Sequence, residues 1–177
     1  MARARFSLIG RLRRDRDGAA AVEFALIATP FFLMLFAILE IGLVLVLNSV
    51  LENAATDASR LVRTGQVQQT RITREQFKDA FCANMSVFSG DCPDRVFIDV
   101  RQVAGFTNPG VPDPTSGGTF NPAILTYETG EPGSLMLVRI WYDQPVVSPF
   151  LANYLSKAQN GGVLLSTAAA FRNEPYQ

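Results

Sequence analysis

The sequence predicts an α+β protein in which one long N-terminal helix, apolar and then amphipathic, carries a small head with an antiparallel β-sheet of about three to four strands. Three observations lead there. Residues 18–47, GAAAVEFALIATPFFLMLFAILEIGLVLVL, contain two charges, Glu23 and Glu40. Apolar residues then continue at three- and four-residue spacing as far as Val62. Three later runs are rich in branched and aromatic residues, and turn formers bound them.

The apolar run comes first. A hydrocarbon core takes about 20 apolar residues in a helix, and this run has 30. Before it stands MARARFSLIGRLRRDRD, six arginines against two aspartates, in a chain whose basic and acidic totals balance at 16 each. Arginine on this flank keeps it in the cytoplasm, so the chain after about residue 48 is expected on the far side of the membrane. A topology signal explains the basic stretch without nucleic acid. A secretory signal peptide has an apolar region of about 7 to 15 residues that ends in small residues. Here the run is longer, and Ala19 to Ala21 stand at its beginning. Glu23 is the anomaly. A carboxylate in hydrocarbon costs at least about 2.5 kcal/mol, which marks it as a functional position.

Gly18-Ala-Ala-Ala-Val-Glu23-Phe24 behind a basic leader resembles the processing motif of the type IV pilin superfamily. Together with RRDRDGAAAVEFAL and the closing Phe171-Arg-Asn-Glu-Pro-Tyr176, it is similar to the TadE-like pseudopilins of the tight adherence (Flp pilus) system. The resemblance implies that a prepilin peptidase cuts between Gly18 and Ala19, making Glu23 fifth and Phe24 sixth in the mature chain. It further implies an inner-membrane protein with a periplasmic head, and as partners the peptidase, other pilins and minor pilins, and the pilus assembly platform. Elementary chemistry agrees. The cut removes all six leader arginines and frees an α-amino group at Ala19. That charge can pair with a Glu23 carboxylate on a neighbouring subunit, neutralising two groups that are each costly alone in lipid. An uncleaved membrane-anchored binding or scaffold module is the alternative, with Glu23 then at headgroup level.

Beyond Leu47, the residues Val50, Leu51, Ala54, Ala55, Ala58, Leu61 and Val62 form an apolar stripe, and Gly65 is a stop signal. One helix from about Ala19 to Thr64 would be roughly 69 Å long. Pro30 lies inside it, where proline removes a hydrogen bond and bends or locally opens a helix. Glu40, about 26 Å beyond Glu23, is expected near the outer interface, either solvated or in an assembly contact. The division is therefore leader 1–18, membrane span 19–47, amphipathic extension 48–65 and head 66–177.

In the head, Thr73 and Gln76 fit a capping box that opens a helix over about 74–84, with Phe77 and Phe81 facing the core. Cys82 and Cys92 are expected to form a disulfide in an oxidising compartment. The strands are read at Arg95–Val103, Ser134–Asp143 and Gly162–Arg172, with Val96, Ile98 and Val100 on one face. Between the first two lies Ala104 to Gly133, 11 of its 30 residues Gly or Pro, read as a long loop without a periodic pattern that is either a partner contact or disordered surface. A short apolar piece, Phe150–Leu155, precedes the last strand. Whether the Arg-Asn-Glu-Pro ending caps the sheet or serves as a docking tail stays open.

Catalytic chemistry has little to draw on. The chain has no histidine, so Ser-His and Cys-His nucleophiles are excluded, and it carries no phosphate-cradling glycine motif. Two cysteines without histidine do not make a four-ligand zinc site. Asp91, Asp94 and Asp99 are read as solvated carboxylates bounding a turn, and Asp113 and Glu131 likewise. No metal, cofactor or small-molecule substrate is expected, and the chain reads as the substrate of an enzyme.

Overall fold

The computed structural model describes residues 18–107, 109–146 and 162–176. The basic leader over residues 1–17 and the apolar piece over residues 150–155 lie outside the described residues. The chain divides into two compact units between Leu39 and Glu40.

The first helix, α1, spans Ala19–Arg63 and runs on through Pro30. In the first unit its apolar side chains face outward: Phe24 and Ile27 are each 71% exposed and Phe36 61%. Phe31 meets Phe32 edge-on at 5.5 Å, and Phe32 stacks on Phe36 at 6.4 Å. Helix α1 is long and apolar enough to cross a membrane by length and composition. Side chains of this kind, exposed along a continuous run, need lipid or other helices to cover them.

The second unit holds the core. Leu47, Leu51, Ala54, Ala55, Ala58 and Val62 of α1 are buried, as the apolar spacing predicts. Gly65 then ends the helix in the left-handed conformation, φ 78°, and α2 follows as a single turn, Gln66–Thr70. Helix α3, Arg74–Ala83, opens with the expected capping box: Thr73 Oγ1 accepts from Gln76 N–H, and Thr73 N–H donates to Gln76 Oε1. Its Phe77 and Phe81 are fully buried. A 3-10 turn, Ser86–Phe88, and the short helix α4, Cys92–Arg95, complete the helical part. Cys82 and Cys92 form the disulfide, with Cα atoms 5.6 Å apart. Closing so short a loop contributes about 2–3 kcal/mol by the chain-entropy argument.

Strands β1 (Val96–Gln102), β2 (Leu135–Gln144) and β3 (Val163–Arg172) form an antiparallel sheet in that order. Val100 pairs with Val138, and Ile140 with Thr167. Alternation puts Val96, Ile98 and Val100 with Met136, Val138, Ile140 and Tyr142 on one face. That face joins the α1 stripe, Phe77, Phe81, Met85 and the disulfide in one hydrophobic cluster.

The segment between β1 and β2 is held to the sheet by backbone hydrogen bonds. Val100 N–H donates to Thr126 O at 2.9 Å, and Glu128 N–H donates to Val100 O at 2.7 Å, so this stretch lies along the edge of β1. The Tyr127 hydroxyl donates to Ile72 O, and its ring lies 5.7 Å from Phe77. Burial pushes the Tyr127 phenol up to about 12, which keeps it a neutral donor. Phe120, 2% exposed, sits 4.9 Å from the Phe97 ring and 5.6 Å from the Trp141 ring. These apolar and hydrogen-bonding residues lie too far apart in sequence to show a period, yet they suffice to order a Gly/Pro-rich chain.

The C-terminal tail turns back on the end of α1. Glu174 N–H donates to Arg63 O, and the Asn173 side-chain amide donates to Thr129 O and Glu131 O. Tyr176 lies against Gly65, where any Cβ would run into its ring. Gly65→Ala is therefore expected to lower unfolding stability by more than the roughly 1–2 kcal/mol that a left-handed backbone alone costs a non-glycine residue. Chemical denaturation of the detergent-solubilised chain checks this. Tyr176→Ala in the Gly65→Ala background should return only the clash component.

Candidate processing and assembly site

Gly18 and Ala19 stand where the described chain begins and where α1 starts, with Val22 N–H donating to Gly18 O at 3.1 Å. Glu23 and Phe24 are exposed one turn further on. Residues four apart share a helix face, so the backbone at Ala19 and the Glu23 carboxylate lie on the same side. A Cβ at Gly18 meets nothing within 4 Å among the described residues, and Gly18 is not in the left-handed region. The described residues thus make no demand for glycine at 18, in contrast to Gly65.

The structure therefore brings Gly18, Ala19, Glu23 and Phe24 together as one exposed helix start. The disulfide cysteines lie in the other compact unit and contribute to its core.

In the head, one expectation is overturned. Asp99 is not a solvated turn carboxylate: it sits in mid-β1, fully buried. Arg101 Nη2 donates to its Oδ1 at 2.6 Å and Arg101 Nε to Oδ2 at 2.9 Å. Arg139 Nη2 and Nε donate to Oδ2 at 2.7 and 3.0 Å, and Thr126 N–H donates to Oδ1 at 2.8 Å. Both guanidinium groups are themselves only 13% exposed. The reason is register. Asp99 is opposite Arg139 on the sheet face away from α1, and the 104–133 segment covers that face. Arg139 Nη1 also holds Pro112 O, Arg101 Nη2 holds Ile124 O, and the Arg139 guanidinium lies 5.0 Å from the Trp141 ring. Burial alone pushes the Asp99 carboxyl up, but the hydrogen bonds from Arg101 and Thr126 and the charge of Arg139 outweigh it and hold it below its ordinary value. An acid held ionised in this way pins a loop and does not shuttle protons.

Asp91 and Asp94 are exposed as expected, Asp91 paired with Arg95 at 2.9 Å. Asp113 is exposed and accepts from Thr115 N–H and the Thr115 hydroxyl within its turn, and Glu131 is exposed too. Among the described residues, no group of three His, Cys, Asp or Glu side chains is placed to hold a metal ion.

Residues 18–60 match the family model described as TadE-like protein. Over that stretch the chain is similar to TadE-like proteins. The match begins at Gly18 and takes in Glu23, Phe24, Pro30 and Glu40, which is consistent with a TadE-like protein of the tight adherence (Flp pilus) system. It ends inside the amphipathic part of α1, before α3, the disulfide and the sheet. No curated protein and no solved structure matches the chain.

Proposed function

We propose that this chain is a minor pilin-like subunit, a pseudopilin, that takes part in assembling Flp/Tad-type adhesive pili. In this reading a prepilin peptidase cuts between Gly18 and Ala19, residues 19–47 span the inner membrane, and residues 66–177 form a non-catalytic head in the periplasm. The observation that carries it is the coincidence at residue 18. The TadE-like match, the start of the exposed apolar helix and a glycine that the fold does not need all fall there.

Each residue then has a physical task. Gly18 offers the peptidase a backbone without a side chain to accommodate. Glu23 supplies the carboxylate that neutralises the new Ala19 amine of a neighbouring subunit as helices pack. The exposed phenylalanines and leucines of α1 exchange lipid contacts for contacts with other pilins, and the Cys82–Cys92 disulfide supports a small head outside the cytoplasm.

N-terminal sequencing of the protein from membranes with and without the peptidase tests this reading. A chain that begins at Ala19 only when the peptidase is present is the expected result. A chain that begins at Met1 in both overturns it.

A further inference from the structure

Beside the C-terminal tail, α1 carries a half-open notch of about 360 Å³ lined by Thr56, Ser59, Arg60, Arg63, Phe171 and Glu174. Ser59 is 5% exposed, and its hydroxyl has no hydrogen-bond partner among the described residues. Arg63 Nη2 is 3.1 Å from Glu174 Oε1, whereas the exposed Arg60 guanidinium has neither hydrogen bond nor ion pair among the described residues. The Thr56 hydroxyl proton is already given to Glu52 O at 2.9 Å. The free capacity is therefore that of donors, Ser59 and Arg60. Two guanidinium groups against one carboxylate leave the notch with one positive charge, and Phe171 adds an apolar wall. Such a lining suits a carboxylate on a short methylene stem, which accepts charge-assisted bonds and satisfies a buried hydroxyl at once.

The same stripe of α1 holds a candidate for that carboxylate. At about 100° per residue, Glu52, Thr56, Ser59 and Arg63 fall on one side of the helix, with Arg60 beside them. Glu52 is exposed, and one of its oxygens accepts from Asn48 Nδ2 at 2.8 Å. Acid at 52 and base at 60 on one stripe are self-complementary when two parallel helices are displaced along their axes by eight residues, about 12 Å. We propose that the notch receives the Glu52 carboxylate of a second copy of this chain, in a staggered parallel helix-to-helix contact. The parallel alignment rests on the proposed function, because both copies are then anchored by the same helix in one membrane. The contact is head-to-tail: each copy gives one carboxylate and keeps one notch, so it extends to an open array and does not close as a dimer.

Full-length copies carrying Glu52→Cys and differently tagged copies carrying Arg60→Cys, co-expressed and oxidised in membranes, test it. A mixed-tag disulfide product several-fold above that of either variant alone is expected. Glu52→Cys copies joining each other as readily would indicate a symmetric contact and overturn the stagger. A product of another mass would place a different protein in the notch and overturn self-recognition. Charge reversal gives a second measurement on side chains exposed enough to leave the fold intact. Glu52→Arg and Arg60→Glu should each reduce chemically crosslinked oligomer several-fold, and the double variant should restore it; no restoration overturns the pairing. N-terminal sequencing of the same samples separates the two readings. An uncut chain that still gives the mixed product retires processing and leaves the contact standing, and a cut chain without the product does the reverse.

Discussion

Asp99→Ala is expected to destabilise the head by about 3–5 kcal/mol, the range for removing one partner of a buried ion pair. The loss is large because two arginines stay behind. Arg101 and Arg139 are each 13% exposed and would face one another across the sheet without a counter-charge. Thr126 N–H would also lose its acceptor. Fluorescence of Trp141, the chain's one tryptophan, reports the event directly because its ring lies beside Arg139. Urea unfolding of the detergent-solubilised chain should show the midpoint shift. Replacing all three charges at once, with Asp99→Leu, Arg101→Met and Arg139→Leu, should recover much of it, since a well-packed apolar set can match a buried ionic one. The pH dependence has a definite sign. The folded carboxyl lies below its ordinary value of 3.8. A depressed value contributes stability that is fully present above the ordinary value and is lost as pH falls through the folded one. The wild-type head should therefore lose stability as pH drops below about 4, and Asp99→Ala should flatten that acid limb. An unchanged urea midpoint in Asp99→Ala would show the cluster to be dispensable.

The elements of this head are legible in the sequence where a local rule carries them. Thr73 and Gln76 announce the start of α3 because a capping box is complete within four residues. Val96, Ile98 and Val100 announce β1 because a strand with one buried face alternates. Gly65 marks the end of α1, although its second reason, the Tyr176 ring, comes from the far end of the chain. Asp99 defeats the same local rules. Its burial depends on the β1–β2 register and on a segment 27 residues further along the chain, through Thr126, neither of which has a local signature. The loop over 104–133 hides its order in the same way, since Phe120 and Tyr127 act through partners on β1, β2 and α3. The notch at Ser59 and Arg60 needs the returning tail to complete it. Spacing reveals a helix face; it does not reveal what the chain's end will lay beside that face. The start of α1 shows the opposite behaviour. Gly18, Ala19, Glu23 and Phe24 are contiguous or nearly so, and their pattern stands in the sequence alone.

Gly18→Leu is expected to block maturation while leaving the fold untouched. The two halves of that statement come from separate observations. A Cβ at Gly18 meets no described atom within 4 Å, so the described residues leave the position open to a side chain. Unfolding followed by Trp141 fluorescence should therefore match wild type. The proposed peptidase, by contrast, must close on the Gly18–Ala19 bond. A side chain forced into a site shaped for glycine costs about 1–3 kcal/mol, or about fivefold to 150-fold in cleavage rate. Intact mass of the membrane-extracted variant should show the uncut chain beginning at Met1, and pili should be lost with it. Glu23→Ala separates cleavage from assembly. It leaves the proposed scissile bond unchanged, so the chain should mature, but it removes the carboxylate proposed to neutralise the Ala19 amine during packing. Mature protein with few pili is the expected phenotype. Normal pilus numbers from mature Glu23→Ala protein would show that the amine is neutralised some other way. A Gly18→Leu chain cut as fast as wild type would show that glycine at this position serves no peptidase. Gly18 and Glu23 lie outside the compact unit that holds the core, so Trp141-monitored unfolding of both variants should match wild type and separate either result from misfolding.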